Sequence, residues 1–183
     1  MRILASVCGR ILAAGFILVA GTGLSLAVPK HVPQTEERWV TYENERFGYS
    51  LYYPSALFEA EPPPENGSGL TFVSEDGRAK IVVFGVHNSE DLSPREYRRI
   101  LLDEFGGYDR LDYSPVGKSW FVLSGYRGDN IYYQKVIFSC SNSVINVFSM
   151  TFPTADKPFY EGMIETMEDR FKTGRGDDTP AGC

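Results

Sequence analysis

The sequence predicts an α+β fold in which one antiparallel β-sheet is covered by two main helices as a sandwich. Several segments have the apolar pattern of strands, and two others have apolar residues at helical spacing. The links between neighbouring strands have hairpin length, which forces antiparallel pairing because a parallel pair needs a crossover of about a dozen residues. The last two strands are apolar on both faces, so both faces of the sheet must be covered.

Four strands are predicted in the first half of the domain. Residues 38–42 and 47–53 form the first pair, and Pro54 ends the second strand because proline cannot donate to a ladder. A proline-rich loop follows. Residues 70–74 and 80–86 form the next pair, around a turn that contains a glycine.

Two helices are predicted, one on each side of three further strands. The first begins at Ser93, because Ser93, Pro94 and Glu96 match a capping box with proline at the first helical position. Its apolar stripe is Tyr97, Ile100, Leu101 and Phe105, and Gly106 and Gly107 end it. The three strands are 119–125, 130–140 and 144–152. The second helix begins near Asp156 and ends at Gly174, with the stripe Tyr160, Met163, Ile164, Met167 and Phe171.

The start of the chain predicts a secretory signal peptide over residues 1–27. Arginines precede an uncharged apolar run over 11–24, and Ser25 and Ala27 are the small residues just before Val28. An uncleaved anchor is the alternative, because the apolar stretch is close to the roughly 18–20 residues that span a bilayer. We expect cleavage, since glycines weaken the run as a permanent helix. The folded part is expected outside the cytoplasm, periplasmic or secreted, with membrane contact only through an uncleaved leader.

The remaining chain is predicted to form one domain between two polar ends. Residues 28–37 are polar with two prolines and predict an extended tether. Residues 38–172 form the single α+β domain, and 173–183 predict a disordered tail because glycines, a proline and two aspartates dominate it. The chain has a net charge of −6 and no clustered lysines and arginines, which argues against a nucleic-acid partner.

Cys140 and Cys183 are the only cysteines after the predicted leader, and they leave two alternatives open. A disulfide is favoured by an oxidising compartment. Two free thiols are favoured because strand alternation should bury Cys140 and because nothing apolar near Cys183 would hold the tail in place. We expect two free thiols.

The motifs that could support catalysis are incomplete. Residues 116–119 resemble the end of a phosphate-binding loop, but Asp112 occupies the position of the required first glycine. His87 is the only histidine in the domain, and no spacing supports a triad or a zinc site around it. We therefore expect no catalytic residue, no metal ligand and no cofactor.

The order of elements resembles the PsbP-like fold group, which includes exported DcrB-like bacterial proteins. The opening strand Phe47-Gly48-Tyr49-Ser50-Leu51-Tyr52-Tyr53-Pro54 and the succession strands, helix, strands, helix support the resemblance. It extends from about Asn44 to Lys172 and is closest to uncharacterised exported proteins of proteobacteria. It implies a binding or accessory role with a protein partner, without transferring the function of any residue.

Aromatic residues on the predicted strands are the remaining candidates for a binding surface. Tyr53 and Tyr133 could be exposed, because neighbouring tyrosines on a strand point to opposite faces. Tyr126 could be exposed because it lies beside the turn at Arg127-Gly128-Asp129. The sequence therefore predicts a non-catalytic binding or accessory protein of the cell envelope. The alternatives are an envelope hydrolase and a sugar-binding module that uses surface tyrosines.

Export predicts a defined new N-terminus. Cleavage after Ala27 should leave Val28 as the first residue of protein recovered from the envelope fraction, as measured by intact-mass spectrometry. Ala27→Tyr should block this cleavage, because the site requires a small residue. An intact Met1 in the wild-type protein would contradict cleavage, and a cytosolic location would contradict export.

Overall fold

The computed structural model describes residues 38–104, 107–181 and 183. The predicted signal peptide 1–27 and tether 28–37 lie outside these residues, as do Phe105 and Gly106. The elements in chain order are β1 (Trp39–Asn44), β2 (Tyr49–Pro54), β3 (Phe58–Ala60), β4 (Gly69–Ser74), β5 (Lys80–His87), α1 (Pro94–Glu104), β6 (Arg110–Tyr113), β7 (Trp120–Arg127), β8 (Asn130–Ser139), β9 (Val144–Pro153), a 3₁₀ turn (Thr154–Asp156), α2 (Lys157–Arg170) and β10 (Lys172–Thr173).

The structure is mostly β, with two antiparallel sheets, so the predicted α+β fold of one sheet covered by two main helices is wrong. The larger sheet has the strand order β3-β4-β5-β9-β8-β7-β6. The smaller sheet has the order β1-β2-β10 and covers part of the larger one, a role that the sequence prediction assigned to a helix. The helices are short, with 11 residues in α1 and 14 in α2.

One face of the seven-stranded sheet packs against both the small sheet and α2. This face holds the larger apolar core, because alternate residues of the central strands point towards it. The sheet contributes Phe72, Ile81, Val83, Phe148, Met150 and Phe152, the small sheet contributes Tyr49 and Leu51, and α2 contributes Met163 and Met167. Burial of these side chains fixes the small sheet and α2 on the same side.

The other face packs against α1. Phe121, Phe138 and Ile145 belong to a second apolar cluster, which contacts Tyr97 and Leu101 of the helix. The predicted capping box is present, since the Ser93 backbone N–H donates to Glu96 Oε2 at 2.8 Å. Hydrogen bonds from Ser93 lower the pKa of Glu96. The apolar faces of β8 and β9 are thus both covered, by different elements.

Helix α2 ends earlier than predicted. Tyr160, Met163, Ile164 and Met167 are buried as the stripe requires, but the helix stops at Arg170 rather than at Gly174. Phe171 has an extended backbone, and the next two residues pair with β2 as strand β10. The chain therefore leaves the helix directly into the small sheet.

The segment 173–183 contacts the domain, which differs from the expected disordered tail. The backbone N–H groups of Asp177 and Asp178 donate to the carbonyls of Glu45 and Arg46, at 2.7 and 2.8 Å. Arg46 also forms an ion pair with Asp178 at 2.8 Å. Polar contacts therefore hold the tail in place, although no apolar residue near Cys183 could do so.

Cys140 and Cys183 form a disulfide, so the expectation of two free thiols is wrong. Strand β8 ends at Ser139, and Cys140 has φ 52°, so the alternation that would bury its side chain ends one residue earlier. Cys140 is only partly buried, and its Cα lies 4.3 Å from that of Cys183. The disulfide links the β8–β9 turn to the tail.

The burial of α2 can be tested by truncating Met167, which is fully buried. Met167→Ala should lower the free energy of unfolding by about 2–5 kcal/mol, because it leaves a cavity beneath the helix. Denaturant unfolding measures the change. Glu165→Ala, on the exposed face of the same helix, is the control and should stay within about 0.5 kcal/mol of the wild type. Equal midpoints for the Met167 variant and the control would contradict the assigned packing.

The disulfide should be found by peptide mapping without reduction, as a linked pair containing Cys140 and Cys183. Cys183→Ser should lower the free energy of unfolding by at most about 4 kcal/mol, the chain-entropy value for a separation of 43 residues. A reducing agent should destabilise the wild type and leave Cys183→Ser unchanged. Both cysteines reactive in the unfolded, unreduced protein would contradict the bond.

Candidate binding surface

An aromatic cleft lies between the outer face of the small sheet and α2. It has a volume of about 420 Å³, and we call it the aromatic cleft. Its lining residues come from β1, β2 and α2: Trp39, Tyr52, Phe159, Gly162, Met163, Thr166 and Arg170. Three of these residues are aromatic and one is cationic.

The strand register places two aromatic residues on the outer face. Thr41 of β1 is exposed, and it pairs with Tyr52 of β2. Because paired residues lie on the same face of a sheet, Tyr52 points away from the core. Trp39, two residues before Thr41, is on the same face of the strand by alternation, and it is partly buried against the larger core. The rings of Trp39 and Tyr52 are stacked, with centroids 5.1 Å apart and planes inclined by 17°. The Arg170 guanidinium carbon lies 4.6 Å from the centroid of the Tyr52 ring, within the range of a cation–π contact.

The helix contributes an exposed aromatic residue and a space beside it. Phe159 in the first turn of α2 is 49% exposed, and its ring contacts Tyr160 edge-on. At Gly162, one turn further on, a Cβ would meet no atom within 4 Å. The cleft therefore has an apolar wall at Phe159 and an open floor at Gly162.

The structure does not bring together the three tyrosines that the sequence analysis singled out. Tyr133 is buried in the larger core, and burial raises its pKa. Tyr53 packs against Phe72, with ring centroids 4.2 Å apart. The ring of Tyr126 lies under the guanidinium of Arg110, at 4.1 Å. The ring faces of Tyr53 and Tyr126 are thus already in contact with other side chains.

Sequence reasoning missed the residues of the aromatic cleft. The exposure of Phe159 could have been predicted, because this apolar residue lies outside the buried stripe of α2. Trp39 and Tyr52 had none, because their outward direction depends on the separation of the two sheets.

The imidazole of His87 contacts a carboxylate on the surface. Its Nε2 lies 3.1 Å from Asp178 Oδ2, and its ring contacts Phe47. A hydrogen bond from Arg46, and to a smaller extent one from His87, lowers the pKa of Asp178. Among the described residues, no serine hydroxyl bonds to this imidazole, and no group of three or more histidine, cysteine or carboxylate side chains could hold a metal ion.

Neither helix in the described part of the chain is long and apolar enough to cross a membrane.

The segment 116–119 lies between two strands. Val116 forms a bridge with Phe121, and Lys118 is exposed. Strand β7 follows this segment, whereas a phosphate-binding loop requires a helix there.

Solved structures share this fold at low sequence identity. The cyanobacterial PsbP (CyanoP) of Synechocystis sp. PCC 6803 matches with a TM-score of 0.54 and 11% identity, over 75% of this chain and 94% of that one. The Ran-binding protein Mog1p of Saccharomyces cerevisiae matches with a TM-score of 0.51 and 12% identity, over 75% of this chain and 96% of that one. No family model and no curated protein matches the sequence. The resemblance to the PsbP-like group is thus confirmed for the fold, while the DcrB-like and proteobacterial part of it stays a prediction.

Proposed function

We propose that the chain is an exported, non-catalytic binding or accessory protein of the cell envelope, which docks a protein partner on the aromatic cleft. The observation that supports docking most directly is the grouping of Trp39, Tyr52, Phe159 and Arg170 around one cleft, in which Phe159 is 49% exposed. Tryptophan, tyrosine and arginine are the residue types that dominate binding energy at protein interfaces.

Two features support export. The leader has the order of a secretory signal peptide, and the domain has a disulfide between Cys140 and Cys183. Disulfides form and persist in oxidising compartments outside the cytoplasm. The bond and the leader thus favour the same location.

The partner should present an apolar side chain next to a carboxylate. The apolar group would enter the space above Gly162, against Phe159, and the carboxylate would meet Arg170 at the rim. Mog1p, which shares the fold, is described as a Ran-binding protein, so a protein partner has a precedent among the structural neighbours. The hydrolase and sugar-binding alternatives are not carried further, because no observation on the described residues favours either.

Photo-crosslinking in the native envelope tests the proposed surface. Phe159 and Tyr113 are matched positions, since they are 49% and 55% exposed and lie on different parts of the molecule. A photoreactive phenylalanine analogue at position 159 should crosslink one defined protein, and the same analogue at position 113 should not.

The partner identified in this way allows an affinity measurement. Phe159→Ser should weaken binding about thirtyfold, as expected for a hot-spot residue, while Tyr113→Ser should leave affinity unchanged. Crosslinking at position 113 alone would place the interface at the β6–β7 end of the sheet and contradict the proposal. Unchanged affinity of the Phe159 variant would also contradict it.

A further inference from the structure

The C-terminal segment 174–179 lies across the turn between β1 and β2, and we call it the strap. Two successive backbone N–H groups of the strap, those of Asp177 and Asp178, donate to two successive carbonyls of the turn. The accepting carbonyls belong to Glu45 and Arg46, at 2.7 and 2.8 Å. The turn therefore holds the strap through its backbone, which is how many proteins hold a bound peptide.

The strap needs a glycine at the point where it touches the turn. A Cβ on Gly176 would lie 2.6 Å from the carbonyl oxygens of both Glu45 and Arg46. It would also collide with the backbone nitrogen of Gly48. A Cβ on Gly174 would meet only the Gly48 carbonyl oxygen, at 3.5 Å, which is an ordinary contact. Any side chain at position 176 would thus push the strap off the turn.

Asp178 places its carboxylate between a guanidinium and an imidazole. Arg46 Nε and Nη2 lie 2.9 and 2.8 Å from Asp178 Oδ2. His87 Nε2 lies 3.1 Å from the same oxygen. The Nη1 group of Arg46 also donates to the Asn66 carbonyl, which restricts the guanidinium. The turn therefore offers a site for one carboxylate, two residues after the glycine.

The noncovalent contacts of the strap are exposed, so the disulfide decides whether the strap stays in place. The side chains of Arg46, Asp178 and His87 are 38%, 45% and 44% exposed. An exposed pair of this kind strengthens an interaction by no more than about fivefold. Cys183 is bonded to Cys140 beyond the strap, so both ends of the strap are fixed and opening gains little conformational freedom. Reduction would free one end.

The disulfide is accessible to a reductant at one of its two sulfurs. Cys183 is exposed and Cys140 is partly buried, so Cys183 Sγ is the atom open to attack. A thiolate of a dithiol reductant attacks this sulfur, the bond between the two cysteines breaks, and Cys140 leaves as a thiolate. The second thiol of the reductant then displaces Cys183 from the mixed disulfide. The reductant ends as a disulfide, and the protein ends with two thiols.

We propose that the turn between β1 and β2 is a redox-controlled binding site for a Gly-x-Asp segment of a partner protein. In the oxidised chain the strap occupies this site with its own Gly-x-Asp sequence, residues 176–178. After reduction the strap opens and leaves two backbone carbonyls, one guanidinium and one imidazole for a segment of the same pattern. The site shares no residue with the aromatic cleft and does not depend on the partner surface proposed there.

Amide hydrogen exchange tests the control by the disulfide, on protein produced from its full coding sequence. Reduction should raise the exchange rates of the Asp177 and Asp178 amides about tenfold or more, while the Phe148 amide in the core strand β9 stays protected. In the oxidised chain, Gly176→Ala should have the same effect and Gly174→Ala should not. Equal exchange in both redox states would overturn the proposal. An equal rise at Phe148 would show global unfolding and overturn it too.

A synthetic peptide with the sequence of residues 175–179 tests recognition by a second chain. The receptor is the full chain with Cys183→Ser and Asp178→Asn, which removes the bond and the carboxylate that compete with the peptide. The peptide should shift the His87 signals at up to about 10 mM, since a tethered segment has a millimolar effective concentration. A peptide with Asp178→Asn should bind about fivefold more weakly, because it lacks the carboxylate. A peptide with Gly176→Ala should not bind.

Arg46→Gln in the receptor should weaken peptide binding about fivefold, with the β9 signals unchanged. Arg95→Gln, an equal charge change at an exposed arginine of α1, should leave binding unchanged. The proposal is overturned if the peptide shifts no signal of the receptor, if peptides with and without the carboxylate bind equally, or if the oxidised wild type binds the peptide equally well. A reduced wild type that elutes as a dimer in size-exclusion chromatography would assign the site to the strap of a second copy and reject a partner protein.

Discussion

The burial of strand β9 on both faces is the constraint on which the rest of the structure depends. Its seven residues from Val144 to Met150 are all buried, and the strand lies at the centre of the larger sheet. Even-numbered positions such as Phe148 face the small sheet and α2, and odd-numbered ones such as Val147 belong to the α1-side cluster. A strand with two apolar faces needs a layer on each side, and one of those layers, the small sheet with α2, forms the aromatic cleft.

The tail contributes to the same construction. Strand β10 extends the small sheet beside β2, and the residues after it bond to the turn between β1 and β2. At Gly48 in that turn, φ is +65°, a conformation that glycine adopts without steric cost. The disulfide then fixes the tail to the β8–β9 turn. A polar, glycine-rich segment is thus held by backbone hydrogen bonds, the Arg46–Asp178 ion pair and one covalent bond, without apolar burial of its own.

Much of the secondary structure could be predicted from the sequence, while the arrangement of the strands could not. The capping box at Ser93 and the stripe around Met167 are local signals, and both gave correct elements. The separation of β1 and β2 from the larger sheet is set by tertiary packing, which hairpin lengths do not encode. Strand β3 has three residues, which are too few to show the alternating apolar pattern by which a strand is predicted.

The candidate sites were harder still to predict. Tyr133 was one candidate for an exposed binding residue and is buried, whereas Phe159 is exposed and was not selected. Trp39 and Tyr52 meet in the aromatic cleft only through the register of β1 and β2. Cys140 lies in a turn in which Cys140, Ser141 and Asn142 all have positive φ, a backbone geometry that composition does not reveal. Strand register and local backbone geometry therefore decide which side chains meet. Neither can be predicted from the pattern of residues along the sequence.

The small sheet joins the two ends of the domain, and this has a consequence for the order of folding. Its closure brings Arg46 to Asp178, 132 positions away along the chain, and contacts of such long range are slow to form because the loop entropy must be lost first. The aromatic cleft is built on β1, β2 and α2, so its lining residues come from both ends of the domain. The cleft is therefore absent from a chain whose N-terminal strands and C-terminal helix have not yet packed together, and its presence marks the meeting of these two segments.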